Sequence, residues 1–246
     1  MSTNQTAHEQ NLVNLGIVIA RIDKFKSDYN PSRTDLNYTS LNQLKIRGET
    51  AISTVTLAEL DFKNSSSTRT DSLETIDCLI TRVIQTLRNS GASEQIIAQG
   101  ETMVCDIRGL RMTAINRLND LNLSGNSNAE SMHLARYSNT IDCKIRNLNK
   151  LIRFLSHIPA YDPIESDLTI ASLDNKLTKL KIANQEYGVA DAALDGARWS
   201  RNVLFYKTDT GIVDIAQSVK SYVKSVFGSN SPQYKGISEL VFSRSR

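Results

Sequence analysis

Turn-forming residues are scarce, with 11 Gly and four Pro (Pro31, Pro159, Pro163, Pro232) in 246 residues. A β-sandwich or barrel turns too often for that supply, so the scarcity predicts long helices. Cysteine is rarer still. Cys78, Cys105 and Cys143 are odd in number, widely spaced and without a C-x-x-C pair, which excludes a disulfide framework and fits reduced thiols. The histidines, His8, His133 and His157, form neither an H-E-x-x-H motif nor a pair four residues apart, so a zinc site is not expected. No stretch approaches the roughly 18 apolar residues of a membrane-spanning helix. The first ten residues are polar and lack the basic and apolar regions of a secretory signal, so the expected compartment is the cytoplasm. Charge is also undecided: 29 Lys and Arg against 26 Asp and Glu leave a net +3, too balanced to mark a nucleic-acid partner.

What is present suffices for a core. Apolar residues make up 40% of the chain and charged ones 22%, the balance of a globular protein rather than a disordered one. The length allows one large domain or two of roughly 110 residues. Nothing points to catalysis. There is no G-x-x-x-x-G-K-[ST], no G-x-G-x-x-G after a strand, no G-x-S-x-G, and no pair of E-x-x-H motifs for a di-iron bundle. Glu49, Glu59, Asp61 and Asp191 fall in helical segments and face no recognisable partner. Cys78 and Cys143 sit among apolar neighbours, the usual setting of inert buried thiols. The expectation is a non-enzyme with no catalytic, cofactor-binding or metal-binding residues.

The informative feature is an internal repeat. Residues 29–41, YNPSRTDLNYTSL, match residues 161–173, YDPIESDLTIASL, at one offset. Tyr29 pairs with Tyr161, Pro31 with Pro163, Asp35-Leu36 with Asp167-Leu168 and Ser40-Leu41 with Ser172-Leu173. The register continues ungapped through Ala51/Ala183, Ala58/Ala190 and Arg69/Arg201. Upstream, Leu15, Val18, Ile19, Ile22 and Phe25 match Leu148, Leu151, Ile152, Leu155 and Ile158, one apolar helical stripe. Downstream, Ile80, Val83, Ile84 and Leu87 match Val219, Tyr222, Val223 and Val226.

The expected fold is therefore all-α: two tandem copies of a helical unit, residues 11–118 and 132–246, joined by a linker at 119–131 and forming an elongated bundle. In each unit a first helix (11–27; 132–158) ends at the Tyr-x-Pro turn, because the residue before proline disfavours the α region. A second, very long helix (36–72; 168–206) opens with Asp35 or Asp167 as N-cap and extends about 55 Å. A third follows at 75–89 and 212–227. A fourth occupies 93–118 in the first unit only, and the second ends in a tail whose residues 237–242 read as a short strand or a docked extended segment. The run Asn64-Ser65-Ser66-Ser67-Thr68-Arg69-Thr70 has poor helix propensity and is expected to break or fray the first long helix.

Three segments raise partner questions. Trp199, the only tryptophan, lies between Arg198 and Arg201, a composition that stacks on bases or covers a helix seam. The third helix of the second unit is amphipathic, with Lys220 and Lys224, as a membrane-surface helix or a packed one would be. Residues 139–246 hold about 15 Lys and Arg against about 11 Asp and Glu, the remainder about 14 against about 15. That excess is slight.

Residues 197–242, together with T-R-V-I-Q-T-L-R-N-S-G-A-S-E-Q at 81–95 and the Y-x-P turns, resemble a family of uncharacterised duplicated helical proteins from Bacteroidota. The string V-K-S-Y-V-K-S-V-F-G-x-x-S-P-Q is the most specific part of the likeness. It implies the two-unit layout and no functional residue. The expected function is a non-enzymatic structural or interaction module, self-assembling through repeated surfaces. Its partner is another protein or a second copy in a homo-oligomer. The alternatives are a membrane-acting, toxin-like helical protein and a nucleic-acid binder using the basic second unit, and membrane and nucleic acid are both disfavoured as partners.

Overall fold

A computed structural model describes residues 3–109 and 140–244, with side chains from residue 7 onward. All regular structure among them is helical, so the all-α class holds. The elements are α1 (Thr3–Phe25), α2 (Tyr38–Asn89), α3 (Glu94–Ile107), α4 (Ile141–Ser156), α5 (Ile170–Tyr206), α6 (Ile212–Phe227) and α7 (Pro232–Ser238). Short 3-10 turns cover Lys26–Asp28 and Thr34–Leu36. The expected linker 119–131, and residues 110–118 and 132–139 of the expected helices beside it, lie outside the described residues.

The chain forms two compact units, one of residues 1–62 with 190–246, the other of residues 63–189. The sequence halves 11–118 and 132–246 thus each contribute to both. In the first unit, Leu12, Leu15, Val18, Ile19 and Ile22 of α1 pack with Leu41 and Leu44 at the start of α2. Phe205 and the α6 stripe close that core. In the second unit, Leu148, Leu151, Ile152 and Leu155 of α4 pack with Leu173, Leu177 and Leu180 at the start of α5. The end of α2 and Val104 and Ile107 of α3 close this one. Buried positions in the two closing segments follow one spacing of 3, 1, 3 and 4 residues. These are Ile76, Leu79, Ile80, Val83 and Leu87 in α2, and Ile212, Ile215, Ala216, Val219 and Val223 in α6. The pairing of Ile80 with Val219 is therefore displaced by three residues, and Val226, assigned to the stripe, is 44% exposed.

The separate third helix expected at 75–89 does not exist, because α2 runs unbroken for 52 residues. At 1.5 Å per residue that is about 78 Å. Its buried face keeps a seven-residue interval: Leu41, Gly48, Val55, then half-buried Phe62 and Arg69, then Ile76 and Val83. Such a repeat is the mark of a helix lying along another helix. In α5 the same interval runs through Leu173, Leu180, Tyr187, Leu194 and Arg201. The two long helices meet in both units, through Arg198 and Glu59 at 3.0 Å in the first, and in the second through the Arg69 guanidinium 3.2 Å from the Tyr187 ring centre. The Ser/Thr run does not fray α2. Its hydroxyls donate back along the helix, Thr68 to the Asn64 carbonyl at 3.0 Å, Thr70 to Ser66 at 2.9 Å and Ser72 to Thr68 at 2.8 Å, and propagation inside a long helix tolerates the small remaining cost. α5 does break before α6. Asp209 has φ 64, and a Cβ on Gly211 would stand 2.7 Å from the Lys207 carbonyl oxygen, so the tight turn there requires glycine.

The caps also differ from expectation. The 3-10 turn places Asp35 too early, and Asn37 caps α2 by accepting the Ser40 N–H at 2.7 Å. Thr169 does the same for α5, accepting from Ser172 at 3.3 Å. Asp35 instead pairs with Arg33 at 2.7 Å, and Asp167 is held by both terminal nitrogens of Arg82. What fixes the turns is the tyrosine. Tyr29 donates to the Leu36 carbonyl at 2.7 Å and Tyr161 to the Leu168 carbonyl at 3.0 Å, both bonds buried.

Burial, aided by Glu165, pushes the Tyr161 hydroxyl up to about 12, and burial with Tyr222 and Asp35 moves Tyr29 further the same way. An unfolded tyrosine ionises near 10, so the folded state holds these protons longer. Stability should be fully present below pH 10 and fall as pH rises from about 10 to about 12. Tyr161→Phe should cost about 1–2 kcal/mol at neutral pH and flatten that fall, as read by urea denaturation across the range. Glycines offer a contrasting pair. A Cβ at Gly48 would stand 2.5 Å from a Leu12 methyl, whereas Gly196 in α5 faces open space. Gly48→Ala should destabilise by about 1 kcal/mol or more and Gly196→Ala should stabilise by up to about 1 kcal/mol, both measurable in the same assay.

Candidate interaction surfaces

The residues with reactive side chains are dispersed. Cys78 is exposed, not buried as expected, because the buried face of α2 passes through Ile76 and Leu79 on either side of it. Cys105 is half-buried and Cys143 buried, with the Arg146 guanidinium 3.2 Å from its sulfur. His8 lies inside α1 and is buried, its ring 4.8 Å from that of Phe205. His157 ends α4 with Nδ1 at 2.7 Å from the Arg153 carbonyl, and His133 lies outside the described residues. Glu49 pairs with Lys45 at 2.7 Å, while Asp61 and Asp191 face solvent. Among the described residues no three His, Cys, Asp or Glu side chains converge on a metal-sized site. A void in the second unit, bordered by Ile76, Val83, Leu148 and Leu173, holds about 10 Å³, at the limit for one water.

The most elaborate polar construction lies in the first unit, where residues 240–244 run over α1 and α6 without helix or strand. Of residues 237–242, read as a short strand or a docked extended segment, Ile237 and Ser238 instead end α7 and Glu239 continues its turn, and only the remainder is a docked non-helical segment. Asn11 is 1% exposed and acts on it as a neighbouring strand would. Its Nδ2 donates to the Ser243 carbonyl at 2.8 Å and its Oδ1 accepts the Ser243 N–H at 3.0 Å. One turn on, Asn14 donates to the Val241 carbonyl at 2.7 Å, and Gln10 donates to the Asn14 oxygen at 3.1 Å, fixing the amide. Side chains three apart on a helix stand about 5–6 Å from one another, and two residues of extended chain cover about 6.6 Å. The two repeats therefore match. From α6, Lys220 donates to the carbonyls of Ser238, at 3.2 Å, and Leu240. Its ammonium also lies 5.5 Å from the centre of the Phe242 ring, and burial lowers its basicity.

Leu240 packs half-buried against the core of the unit. Phe242 is buried in the core of the unit, and Arg244 pairs with Asp214 at 2.5 Å, holding that carboxyl below its ordinary range. Upstream, Ser231 caps α7, accepting the Tyr234 N–H at 3.1 Å with Pro232 in the first turn. Ile237 is fully buried, and Gly236 lets the Arg21 guanidinium approach the backbone. Sequence reasoning missed Asn11 and Asn14, whose signal is a polar residue on the same helical face as Leu15 and Val18. Of the α6 lysines, Lys220 faces this segment, and exposed Lys224 lies 5.8 Å from the Tyr234 ring of α7.

The second surface is the solvent side of α5 in the same unit. Trp199 is 70% exposed and Val203 also faces solvent, and Ala192 and Gly196 are exposed at matching helical positions. Leu57 and Leu60 of α2 are exposed as well. The arginines beside the indole are engaged elsewhere. Arg198 is paired with Glu59. Arg201 is buried, donates to Asn202 at 3.1 Å and is made less basic by that burial. No described helix is long and apolar enough to cross a membrane. Comparison with known proteins finds no matching family, curated protein or solved structure.

If Asn11 holds the segment as its geometry indicates, Asn11→Ala should remove the protection of the Ser243 amide. Hydrogen exchange there should accelerate at least tenfold, for about 1–2 kcal/mol lost, while amides in the α4 core are unchanged.

Proposed function

We propose that this protein is a non-enzymatic structural or protein-interaction module that self-assembles, built from two tandem copies of one helical unit. The duplication is supported by the tyrosine-to-carbonyl bond recurring at both turns, Tyr29 to Leu36 and Tyr161 to Leu168, and by the common burial spacing of α6 and the end of α2. The observation carrying the assembly reading is the solvent side of α5. There the single tryptophan stands 70% exposed on a helical face whose neighbours, Ala192 and Gly196, are small enough for close approach. A large aromatic beside small residues is the composition of an interface centre. The arginine pairing described above supports a protein partner over nucleic acid.

The test uses the tryptophan itself. Light scattering behind size exclusion and negative-stain imaging of the same peak should show discrete assemblies at high concentration. Trp199 emission should shift to the blue over the same concentration range. Trp199→Glu, which removes the fluorophore, should abolish the assemblies seen by light scattering without loss of helicity. A chain that stays monomeric at all concentrations, with unchanged emission and no partner in pull-downs, overturns the reading.

A further inference from the structure

The segment 240–244 is bound largely through groups that recognise a type of ligand more than a place in the chain. The hydrogen bonds of Asn11, Asn14 and Lys220 to it and to Ser238 all go to main-chain atoms: the Ser243 N–H and the carbonyls of Ser238, Leu240, Val241 and Ser243. Side-chain selection rests on one aromatic anchor, Phe242, on half-buried Leu240 packed against the same core, and on one basic residue, Arg244, opposite Asp214. Val241, between Leu240 and Phe242, points to solvent, 68% exposed. A built groove with a buried amide aimed at a peptide backbone is a binding site, here filled from within. Any extended aromatic-x-arginine segment meets the same donors and acceptors, and a second copy of this chain carries one of matching sequence.

We propose that the α1/α6 groove exchanges its own segment for residues 240–244 of a second copy, so that each chain is both donor and acceptor. The proposal deepens the self-assembly reading and rests on it. The pivot is Gly228, at φ 84, where α6 ends and the chain turns toward α7. A Cβ there would meet nothing within 4 Å, so no packing holds the pivot from that side. Contacts made in exchange are the same as those made within one chain, so bond energies cancel and concentration decides. Exchange then competes against an effective local concentration on the order of millimolar, and it closes into a dimer when two chains exchange reciprocally or runs on into a ring or filament when they do not.

The experiment uses the full chain and a labelled peptide of residues 237–244, followed by fluorescence anisotropy. Wild-type protein should bind the peptide weakly, since its groove is occupied. Full-length Phe242→Ala, whose own segment is loosened, should bind it about tenfold tighter or more, because apparent affinity scales with the fraction of open grooves. Full-length Arg244→Ala, altered only at an exposed ion pair, provides the same readout should the Phe242 variant fail to fold. Asn11→Ala should lose peptide binding, as should a peptide carrying the Phe242→Ala change. Equal, undetectable binding by wild type and both loosened variants overturns the proposal. So does assembly that persists in Asn11→Ala while Trp199→Glu abolishes it, an outcome that leaves the self-assembly reading standing. Peptide binding in a chain that remains monomeric at every concentration overturns that reading and, with it, exchange between copies.

Discussion

Burial of the α6 stripe against α1 closes the core of the first unit. Ile212, Ile215, Ala216, Val219 and Val223 supply one wall, and Leu15, Val18, Ile19 and Ile22 supply the other. Neither amphipathic helix stands alone, because an exposed stripe of that size gives back the hydrophobic free energy that offsets ordering the chain. In the second unit α4 and the end of α2 are in the same position. Each core thus draws on both sequence halves, and its contacts join residues far apart in the chain, a topology associated with slow folding.

The polar devices are subordinate to that closure and tune it. Tyr29 and Tyr161 occupy buried turns where the main chain leaves one helix for the next, and each satisfies a carbonyl that water cannot reach. Asn11 and Asn14 perform the analogous task for an irregular segment, whose backbone groups would otherwise carry the penalty of burial without partners. Exposed ion pairs such as Arg33 with Asp35 add little. Assignment of function consequently falls to surfaces: a groove that is filled and a helix face that is not.

Much of this organisation was legible in the residues. The apolar stripes of α1 and α4 and the Tyr-x-Pro turns follow from periodicity and proline stereochemistry, and the buried positions of both helices fall where the stripe places them. The continuity of α2 was not legible. Propensity counts the cost of Ser65 to Thr70 but is blind to hydroxyl bonds that exist only once the helix has formed, and to the missing glycine that would permit a break like that at Gly211. The opening of α1 was hidden by polar composition, since His8 and Asn11 are buried by contacts with Phe205 and Ser243, both more than 190 positions away. The groove was half visible, as one of the two readings of residues 237–242, but its two asparagines speak only when the face they share with Leu15 is known to be covered.

The nested composition of the units has a consequence for biosynthesis. Residues 1–62 leave the ribosome before residues 190–246, with which they form one unit. At about 5–20 residues per second, synthesis of the intervening segment 63–189 takes roughly 6–25 s. Throughout that interval the apolar face of α1 has only the start of α2, at Leu41 and Leu44, to meet, and lacks the α6 wall. The second unit can form while the first waits, so the nascent chain presents Leu15, Val18 and Ile22 to whatever is nearby. On a polysome, that means a chaperone or the same face of a neighbouring nascent chain.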